Sequence, residues 1–311
     1  MEYQKSKIIL HFALSFCILI FAFCISSRVE AAILYLDSSQ DQYHQSQTFI
    51  VELRVDAKDE CINTIKGDLS FPQDVLEAVD FSQGDSILSI WLEPPDINQT
   101  LGLVSFIGGI PGGYCGKLPG EPGRPDLIGK IIFNVKEVNG GQTSVEIEFL
   151  NSSQVLLNDG FGTPAKLTLK GMAIKILPGE GEVPESEWEK ELKEDTVPPE
   201  PFKIEINKDP SVFEGKYFIV FQTQDKQSGI DYYEVKEGKR DWKRTESPYL
   251  LEDQSLRSII KAKAMDKAGN ERIAEYLPTY KIAWKDWLYR LILILIGVGI
   301  IWRIIRKYKK K

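Results

Sequence analysis

Short runs in which apolar and polar residues alternate recur along most of the chain, separated by Gly, Asn, Asp and Pro. In the first half these runs include TFIVELRV, TIKGDLSF, ILSIWL and SVEIEFL. A period of two is typical of half-buried strands, and no helical period of ten or more residues interrupts them. The pattern predicts an all-β domain, a β-sandwich, over residues 32–177.

A second strand-rich segment follows a stretch of different composition. Residues 178–200 are rich in Pro, Gly and Glu, which predicts an extended, self-repelling acidic linker. Within it, Ser186 could cap a short helix across SEWEKELKE. Residues 201–280 return to strand patterns such as FKIEI, YFIVFQT and SIIKAKAMD. This segment is the size of one immunoglobulin-like sandwich, for which about 100 residues are usual.

The two ends of the chain carry apolar runs of another kind. Residues 1–31 join Lys5 and Lys7 to a long apolar run and a small-residue site, which predicts a cleaved signal peptide, with a retained anchor as the alternative. Residues 285–305 predict a transmembrane helix, and the basic tail 306–311 is expected on the cytoplasmic side. We therefore expect a single-pass cell-membrane protein whose main body is extracellular.

Charge is distributed unevenly between these segments. Residues 32–280 carry 26 basic and 42 acidic side chains, a net charge of −16. Such a field disfavours nucleic acids and anionic surfaces as partners and favours cationic ones. The same charge is also explained by solubility alone.

The chain lacks the residue patterns of common catalytic sites. His44 is the one histidine outside residues 1–31, and its run SSQDQYHQSQ predicts an exposed loop. A lone histidine excludes a His-pair metal site and argues against a Ser-His-Asp or Cys-His hydrolase. No spacing marks a glycosidase pair, a phosphate loop or an EF-hand calcium loop. We expect a binding protein, not an enzyme, with no cofactor and no metal.

One turn of the second segment leaves a calcium alternative open. Asp266, Gly269 and Asn270 fit a tight turn in the run KAMDKAGNE, because Gly or Asn can adopt positive φ. A calcium site at the same residues is the less favoured interpretation.

The stretch GDLSFPQDVLEAVDF raises a question about chain direction. Leu69 and Phe71 have the parity of buried strand positions, and Pro72 then removes a backbone donor and ends the ladder. We expect a turn there, after which Val75, Leu76 and Val79 pack back beneath the sheet.

This stretch carries a family resemblance. NTIKGDLSFPQDVLEAVDF, with the later strands LGLVSFIGGIP, LIGKIIFNVK and KLTLKGMAIKI, resembles the cohesin domain and its relatives in the carbohydrate-binding-module superfamily, over residues 32–177. In that family an aromatic strand runs into a D-P-x-x-L-E turn; here the proline follows the aromatic residue directly. The resemblance implies a nine-stranded jelly roll in which the chain changes sheets after Phe71.

The second segment also resembles a known superfamily. VFQTQDKQSGIDYYEVK and IIKAKAMDKAGNE are similar to the Ig-like or fibronectin-type-III-like modules of bacterial surfaces. This resemblance covers residues 201–280 only.

The cohesin resemblance implies a protein-binding face, and it leaves two rival functions. In cohesins the partner face includes the strand that here runs from Thr64, and alternation assigns Thr64, Lys66, Asp68 and Ser70 to its outward side. The implied partner is a dockerin-type or other extracellular protein; a plain solvated face is the alternative. Polysaccharide binding through Trp91 and Tyr114 is a second hypothesis, although core packing suits both side chains equally. A structural stalk or adhesin is a third.

Cysteine usage agrees with an exported protein. Cys61 and Cys115 are the two cysteines outside residues 1–31, and two thiols in an exported chain invite a disulfide that spacing alone cannot establish. The resemblance places the two strands beside each other, with the cysteines at adjoining ends, and so implies a Cys61–Cys115 disulfide.

Overall fold

A computed structural model describes residues 32–58, 60–116, 127–137, 142–178, 186–278 and 284–308. The chain divides into two compact units. Unit 1 consists of Met1–Glu200, Thr223–Tyr232 and Ala264–Arg272, and unit 2 of Pro201–Gln222, Tyr233–Lys263 and Ile273–Lys311. The predicted signal peptide, residues 1–31, lies outside the described residues.

The segment from residue 32 to residue 177 forms twelve described strands. In chain order they are β1 (Ala32–Asp37), β2 (Gln42–His44), β3 (Thr48–Asp56), β4 (Ile62–Ser70), β5 (Leu76–Ser82), β6 (Ile90–Asn98), β7 (Leu103–Tyr114), β8 (Leu127–Val135), β9 (Thr143–Phe149), β10 (Gln154–Leu157), β11 (Leu167–Lys170) and β12 (Met172–Leu177). One sheet has the order β11-β1-β3-β8-β5. The other has the order β2-β12-β9-β4-β7-β6, with β10 also paired to β4.

The two sheets bury a shared core, so the predicted β-sandwich is confirmed for this segment. Alternate residues of β4 and β9 are buried, while β8 is buried along almost its whole length because it lies inside the five-stranded sheet. Phe133 packs against Phe49 and Phe71, with ring centroids 5.7 and 5.2 Å apart. The described strands exceed the expected nine because short strands such as β10 and β11 pair at the margins.

The turn after β4 changes sheets, as the sequence predicts. Strand β4 belongs to the second sheet and β5 to the first. The backbone N–H groups of Val75 and Leu76 both donate to the carbonyl of Pro72, at 3.1 and 2.9 Å. Val75 and Leu76 are buried beneath the turn. The proline therefore ends one ladder and accepts the bonds that start the next strand.

The expectation for Val79 is wrong. Its side chain is 56% exposed. The β5–β8 register shifts between Ala78 and Asp80, and a bulge of this kind inserts one residue and changes which face a side chain occupies. Phe81 is buried after the shift, and Val79 is left outside.

A helix forms within the predicted linker. Helix α1 (Glu187–Glu194) begins at Ser186, whose hydroxyl accepts a hydrogen bond from the Glu189 N–H. Trp188 is 8% exposed and packs in one cluster with Ile50 of β3 and Ile132 of β8. The Lys130 ammonium lies 2.6 Å from a Glu191 carboxylate oxygen. The short helix that Ser186 was expected to cap is therefore present. It is folded onto the first sheet, whereas the surrounding segment was expected to be an extended linker.

Residues 201–278 form seven strands and a second core. The strands are β13 (Glu205–Lys208), β14 (Tyr217–Val220), β15 (Ile230–Glu237), β16 (Lys243–Thr245), β17 (Tyr249–Leu250), β18 (Ile260–Asp266) and β19 (Glu271–Tyr276). They make a three-stranded sheet, β13-β14-β17, and a four-stranded sheet, β16-β15-β18-β19. Side chains of both sheets share one cluster, which includes Ile219, Val235, Tyr249 and Ile260. Kinship with immunoglobulin-like domains stays a prediction.

Helix α2 (Trp284–Tyr308) contains the predicted span. Among the residues that the structure describes, no helix combines the length and apolar character of a membrane-crossing segment, so the transmembrane helix expected at 285–305 is not supported.

Candidate functional site

The outward side of β4 carries the four residues that the sequence assigns to a binding face. Thr64, Lys66, Asp68 and Ser70 are partly exposed. Ile65, Gly67 and Leu69 alternate with them and are buried. The strand lies inside the sheet, between β7 on one side and β9 and β10 on the other. The parity prediction is confirmed, while a binding role for the face stays a prediction.

The two charges of this face neutralise each other. The Lys66 ammonium lies 3.2 Å from a carboxylate oxygen of Asp68, and the Asp68 side chain is 15% exposed. A pair at positions i and i+2 of one strand lies on one face of the sheet. The centre of the face therefore presents a compact ion pair between two hydroxyl side chains, Thr64 and Ser70.

Ser153 holds the backbone of Asp68 from the side of β4, a role that no sequence pattern predicted. Its hydroxyl accepts from the Asp68 N–H and donates to the Asp68 carbonyl, both at 3.0 Å. The Leu150 N–H also donates to that carbonyl, at 2.7 Å. These bonds occur where β4 changes partners from β9 to β10, so they hold the backbone of Asp68 at the break in pairing.

Gly67 brings β4 close to the core. A Cβ at this position would lie 2.3 Å from the Phe106 ring, well inside van der Waals contact. Phe106 is buried on β7, directly opposite Gly67 in the register. The ring of Phe106 therefore occupies the space that any side chain at residue 67 would need.

The predicted disulfide is present. Cys61 and Cys115 are bonded, with their Cα atoms 4.0 Å apart. Cys61 precedes β4 and Cys115 follows β7, and the adjoining residues Ile62 and Tyr114 are paired in the sheet. The bond closes one end of the strand pair that carries the candidate face.

The proposed carbohydrate contacts are engaged with the core. Trp91 makes edge contacts with Phe81 and Phe106, with ring centroids 5.8 and 5.7 Å away. Tyr114 also packs against the core of the sandwich and is partly buried. A flat glycan platform requires exposed ring faces. Much of the surface of these two side chains is instead buried against the core.

The sequence predicted that His44 lies in an exposed loop, and this prediction is wrong. His44 ends β2, where it is paired with Leu177 of β12, and it is partly buried. Its neighbour Tyr43 is fully buried and stacks on Phe49 with centroids 4.0 Å apart. Within the polar run SSQDQYHQSQ the strand covers only Gln42–His44, and the packing of this aromatic pair anchors it.

Three buried aspartates in unit 1 form a group that the sequence did not predict as a whole. Each of Asp195, Asp225 and Asp266 is at most 5% exposed, and one carboxylate oxygen of each lies within 4.8 Å of the others. In the described part of the chain this is the one acidic group close enough to hold a metal ion. Sequence reasoning considered Asp266 alone, because the other two come from distant segments.

Backbone donors satisfy much of this group. Asp225 Oδ1 accepts from the N–H groups of Gln227, Ser228 and Gly229, at 2.9–3.0 Å. Asp266 Oδ1 accepts from the Asn270 N–H at 2.7 Å. Asp225 and Asp266 thus each close their own loop, which is the turn role that the sequence assigns to Asp266, while Asp195 Oδ2 accepts from the Ser228 N–H of the Asp225 loop, at 3.1 Å.

Proximity and burial perturb the acidity of this group. Burial raises the pKa of Asp266 above its usual value of 3.8, and the neighbouring carboxylates of Asp225 and Asp195 raise it further. The hydrogen bonds from Asn270 oppose the shift. The proton is therefore held more tightly here than at an exposed aspartate.

Comparisons with known proteins give no family from sequence. No protein-family model matches the chain, and no curated protein matches it.

Solved structures similar to the chain are cohesin modules. One belongs to a family 33 glycoside hydrolase of Clostridium perfringens, with 10% identity, 48% of this chain and 98% of that chain covered, and a TM-score of 0.36. A non-cellulosomal cohesin from Archaeoglobus fulgidus has 17% identity, coverages of 48% and 92%, and a TM-score of 0.37. A type I cohesin–dockerin complex from Clostridium thermocellum has 12% identity, coverages of 48% and 95%, and a TM-score of 0.35.

Each of these cohesin structures matches about 48% of this chain.

Proposed function

We propose that the first sandwich is a non-catalytic recognition module that binds a dockerin-type protein through the outward side of β4. The observation that carries this proposal is the separation of roles along one strand. Thr64, Lys66, Asp68 and Ser70 are partly exposed, while the alternate residues build the core. The residues of the face can therefore vary with the partner while the fold is kept.

The ion pair at the centre of the face gives the proposal a sharp test. The double variant Lys66→Glu with Asp68→Lys reverses the direction of the pair and keeps an attraction within it. The exchanged pair keeps its attraction and should therefore change stability little, while the arrangement of charges on a face can determine partner choice. We expect the melting temperature to stay nearly unchanged, while binding to immobilised dockerin modules weakens by about tenfold or more.

A matched control exchanges another ion pair. Lys261 and Glu275 pair on neighbouring strands of the four-stranded sheet, and Lys261→Glu with Glu275→Lys makes the same kind of change. This variant should bind like the parent chain in the same assay. Equal binding by both double variants, or no binding of any dockerin module by the parent chain, would contradict the proposal.

We also propose that the sandwich acts outside the cell. The Cys61–Cys115 disulfide supports this location, because such bonds persist in oxidising compartments and are rare in the cytosol. Labelling of intact cells with a membrane-impermeant amine reagent should modify the protein. Labelling that occurs only after lysis would place it inside.

A further inference from the structure

The outward face of β4 continues across β7 onto β6. Ser105 and Ile107 of β7 lie opposite Asp68 and Lys66 in the register, and residues directly opposite one another share a face. Both are partly exposed. The middle of the face therefore combines a hydroxyl group and an apolar side chain with the ion pair of β4.

Carboxylates border this face on two strands: on β6 beside the middle, and on β9 at the end of β4, level with Ser70. Glu93 and Asp96 of β6 lie opposite Ile107 and Ser105, and Glu148 of β9 lies opposite Ser70. All three are exposed. Within the part of the chain that the structure describes, none of the three makes an ion pair, whereas other carboxylates do, such as Glu191 with Lys130.

The basic charge of the face does not offset them. Lys66 is already paired with Asp68 at 3.2 Å, so this pair adds no net charge. Carboxylates at the two margins therefore leave the face acidic, beyond the general charge of the chain.

The edge beside this face is unsuited to strand addition. Strand β6 is the last strand of its sheet, and it contains Pro94 and Pro95. Proline has no N–H to donate, and it is a common feature of edges that do not pair with another chain. A partner is therefore expected on the face and not along the edge.

We propose that the protein partner of this face presents an apolar centre flanked on both sides by lysine or arginine side chains. This rests on the proposed function, because it describes the partner of the same face. Three strand spacings of about 4.8 Å separate β6 from β9, and Glu148 is also displaced along the strands from Asp96, so the acidic margins lie at least roughly 14 Å apart. An α-helix with its side chains is about 10–12 Å wide and fits between them.

The test uses the full chain and two synthetic amphipathic helical peptides as probes. One peptide has a leucine stripe flanked by lysines, and the other has glutamates in place of the lysines. The parent chain should bind the lysine peptide more tightly by about tenfold or more, and added salt should reduce the difference. Equal affinities for the two peptides would overturn the proposal.

Two variants test whether the peptide binds to this face or is attracted only by the net negative charge of the chain. Glu93→Lys with Asp96→Lys reverses one margin, whereas Asp74→Lys with Glu77→Lys makes the same charge change at exposed positions of the β4–β5 turn and of β5. The first variant should weaken binding of the lysine peptide by about tenfold, and the second by less than about twofold. Equal weakening by both would show attraction to net charge only and would overturn the proposal.

The outcome is distinguishable from a failure of the proposed function. If the exchange at Lys66 and Asp68 abolishes dockerin binding but the Glu93 and Asp96 variant binds both dockerin and lysine peptide normally, the partner chemistry is wrong and the recognition face stands. If no dockerin module binds but the lysine peptide shows the expected pattern, the proposed function is wrong. The proposal that the partner is basic around an apolar centre is then kept.

Discussion

At the scale of single residues, the identity of Gly67 is determined by Phe106. The sequence shows Gly67 only as a small residue at an inward position, and nothing near it in the chain predicts the ring that fills its side-chain space. The clash arises across two strands, between residues 39 positions apart, at a Cβ distance of 2.3 Å. Alternation therefore predicted which way residue 67 faces, but could not predict why it must be glycine.

Gly67→Ala should destabilise unit 1 by about 1–3 kcal/mol, because the added methyl group forces Phe106 or the strand to move. The free energy of unfolding in urea measures this effect. Gly109→Ala on β7 is the matched control, since a Cβ there would meet its nearest atom at 3.8 Å, an ordinary contact. A loss of equal size in both variants would mean that strand propensity, and not the Phe106 ring, limits residue 67.

A second residue-scale prediction concerns acidity. The pKa of Asp266 is raised mainly by burial and then by Asp225 and Asp195. Its protonated form is thus favoured in the folded state, and the full stability is present below the unfolded pKa of 3.8. Stability is lost as pH rises from there through the raised pKa. The unfolding free energy of the parent chain minus that of Asp266→Asn should fall over this range and level off above it.

An exposed aspartate, Asp209, should show the opposite dependence of stability on pH. Hydrogen bonds from Ser211 lower the pKa of Asp209, so its contribution is present above 3.8 and is lost as pH falls through the lowered value. The parent chain minus Asp209→Asn should therefore show a difference that rises with pH. Thermal unfolding followed at a series of pH values tests both signs, and a flat profile for Asp266→Asn would refute the first.

At the scale of elements, the sequence predicted strands better than it predicted their irregularities. The period of two located β4 and its buried side, and Pro72 located the change of sheet. Val79 was misplaced because it alternates with the buried Leu76 and Ala78 and so faces outward, next to a shift in register against β8. His44 was misplaced because pairing with β12 holds it in a strand. Register shifts and short marginal strands depend on partner strands, which local pattern cannot show.

Helix α1 is the element that most changes the predicted organisation. Its acidic, proline-flanked sequence indicated an extended linker, yet Trp188 is buried against Ile50 and Ile132. A helix of eight residues has little stability alone, so its attachment depends on Trp188 and on the Glu191–Lys130 ion pair. The acidic composition of the segment did not reveal that Trp188 would be buried.

Trp188→Ala should release the helix from the sheet and leave the sandwich folded. Truncation of a buried tryptophan costs about 3–5 kcal/mol of packing, and an unpacked segment is cleaved more readily by proteases. Limited proteolysis with a glutamate-specific enzyme should cut within residues 187–194 faster in this variant than in the parent chain. Lys190→Ala, at an exposed position of the same helix, is the control, because it removes no glutamate, and it should leave the cleavage rate close to that of the parent.

At the scale of the whole molecule, unit 1 is not contained in residues 32–200. Thr223–Tyr232 and Ala264–Arg272 belong to it as well, although their sequence pattern assigned them to a second, independent sandwich. Contacts with β5 show what they contribute. Ser82 is fully buried and its hydroxyl donates to the Ser228 carbonyl at 2.7 Å, and the Lys267 ammonium lies 2.5 Å from an Asp80 carboxylate oxygen.

A chain ending at Glu200 should therefore be less stable than the same sandwich within the full chain. Truncation uncovers Ser82 and leaves Asp80 and Asp195 without partners from the later segments, and each buried polar group that loses its partner costs about 1–3 kcal/mol if it stays buried. Urea unfolding followed by the fluorescence of Trp91 and Trp188 should show a lower midpoint for the truncated chain. Ser82→Ala in the full chain isolates one of these contacts and should lower the midpoint by a smaller amount. Identical midpoints for the truncated and full chains would mean that the later segments contribute nothing to unit 1, and that the boundary drawn from sequence at residue 200 is the physical one.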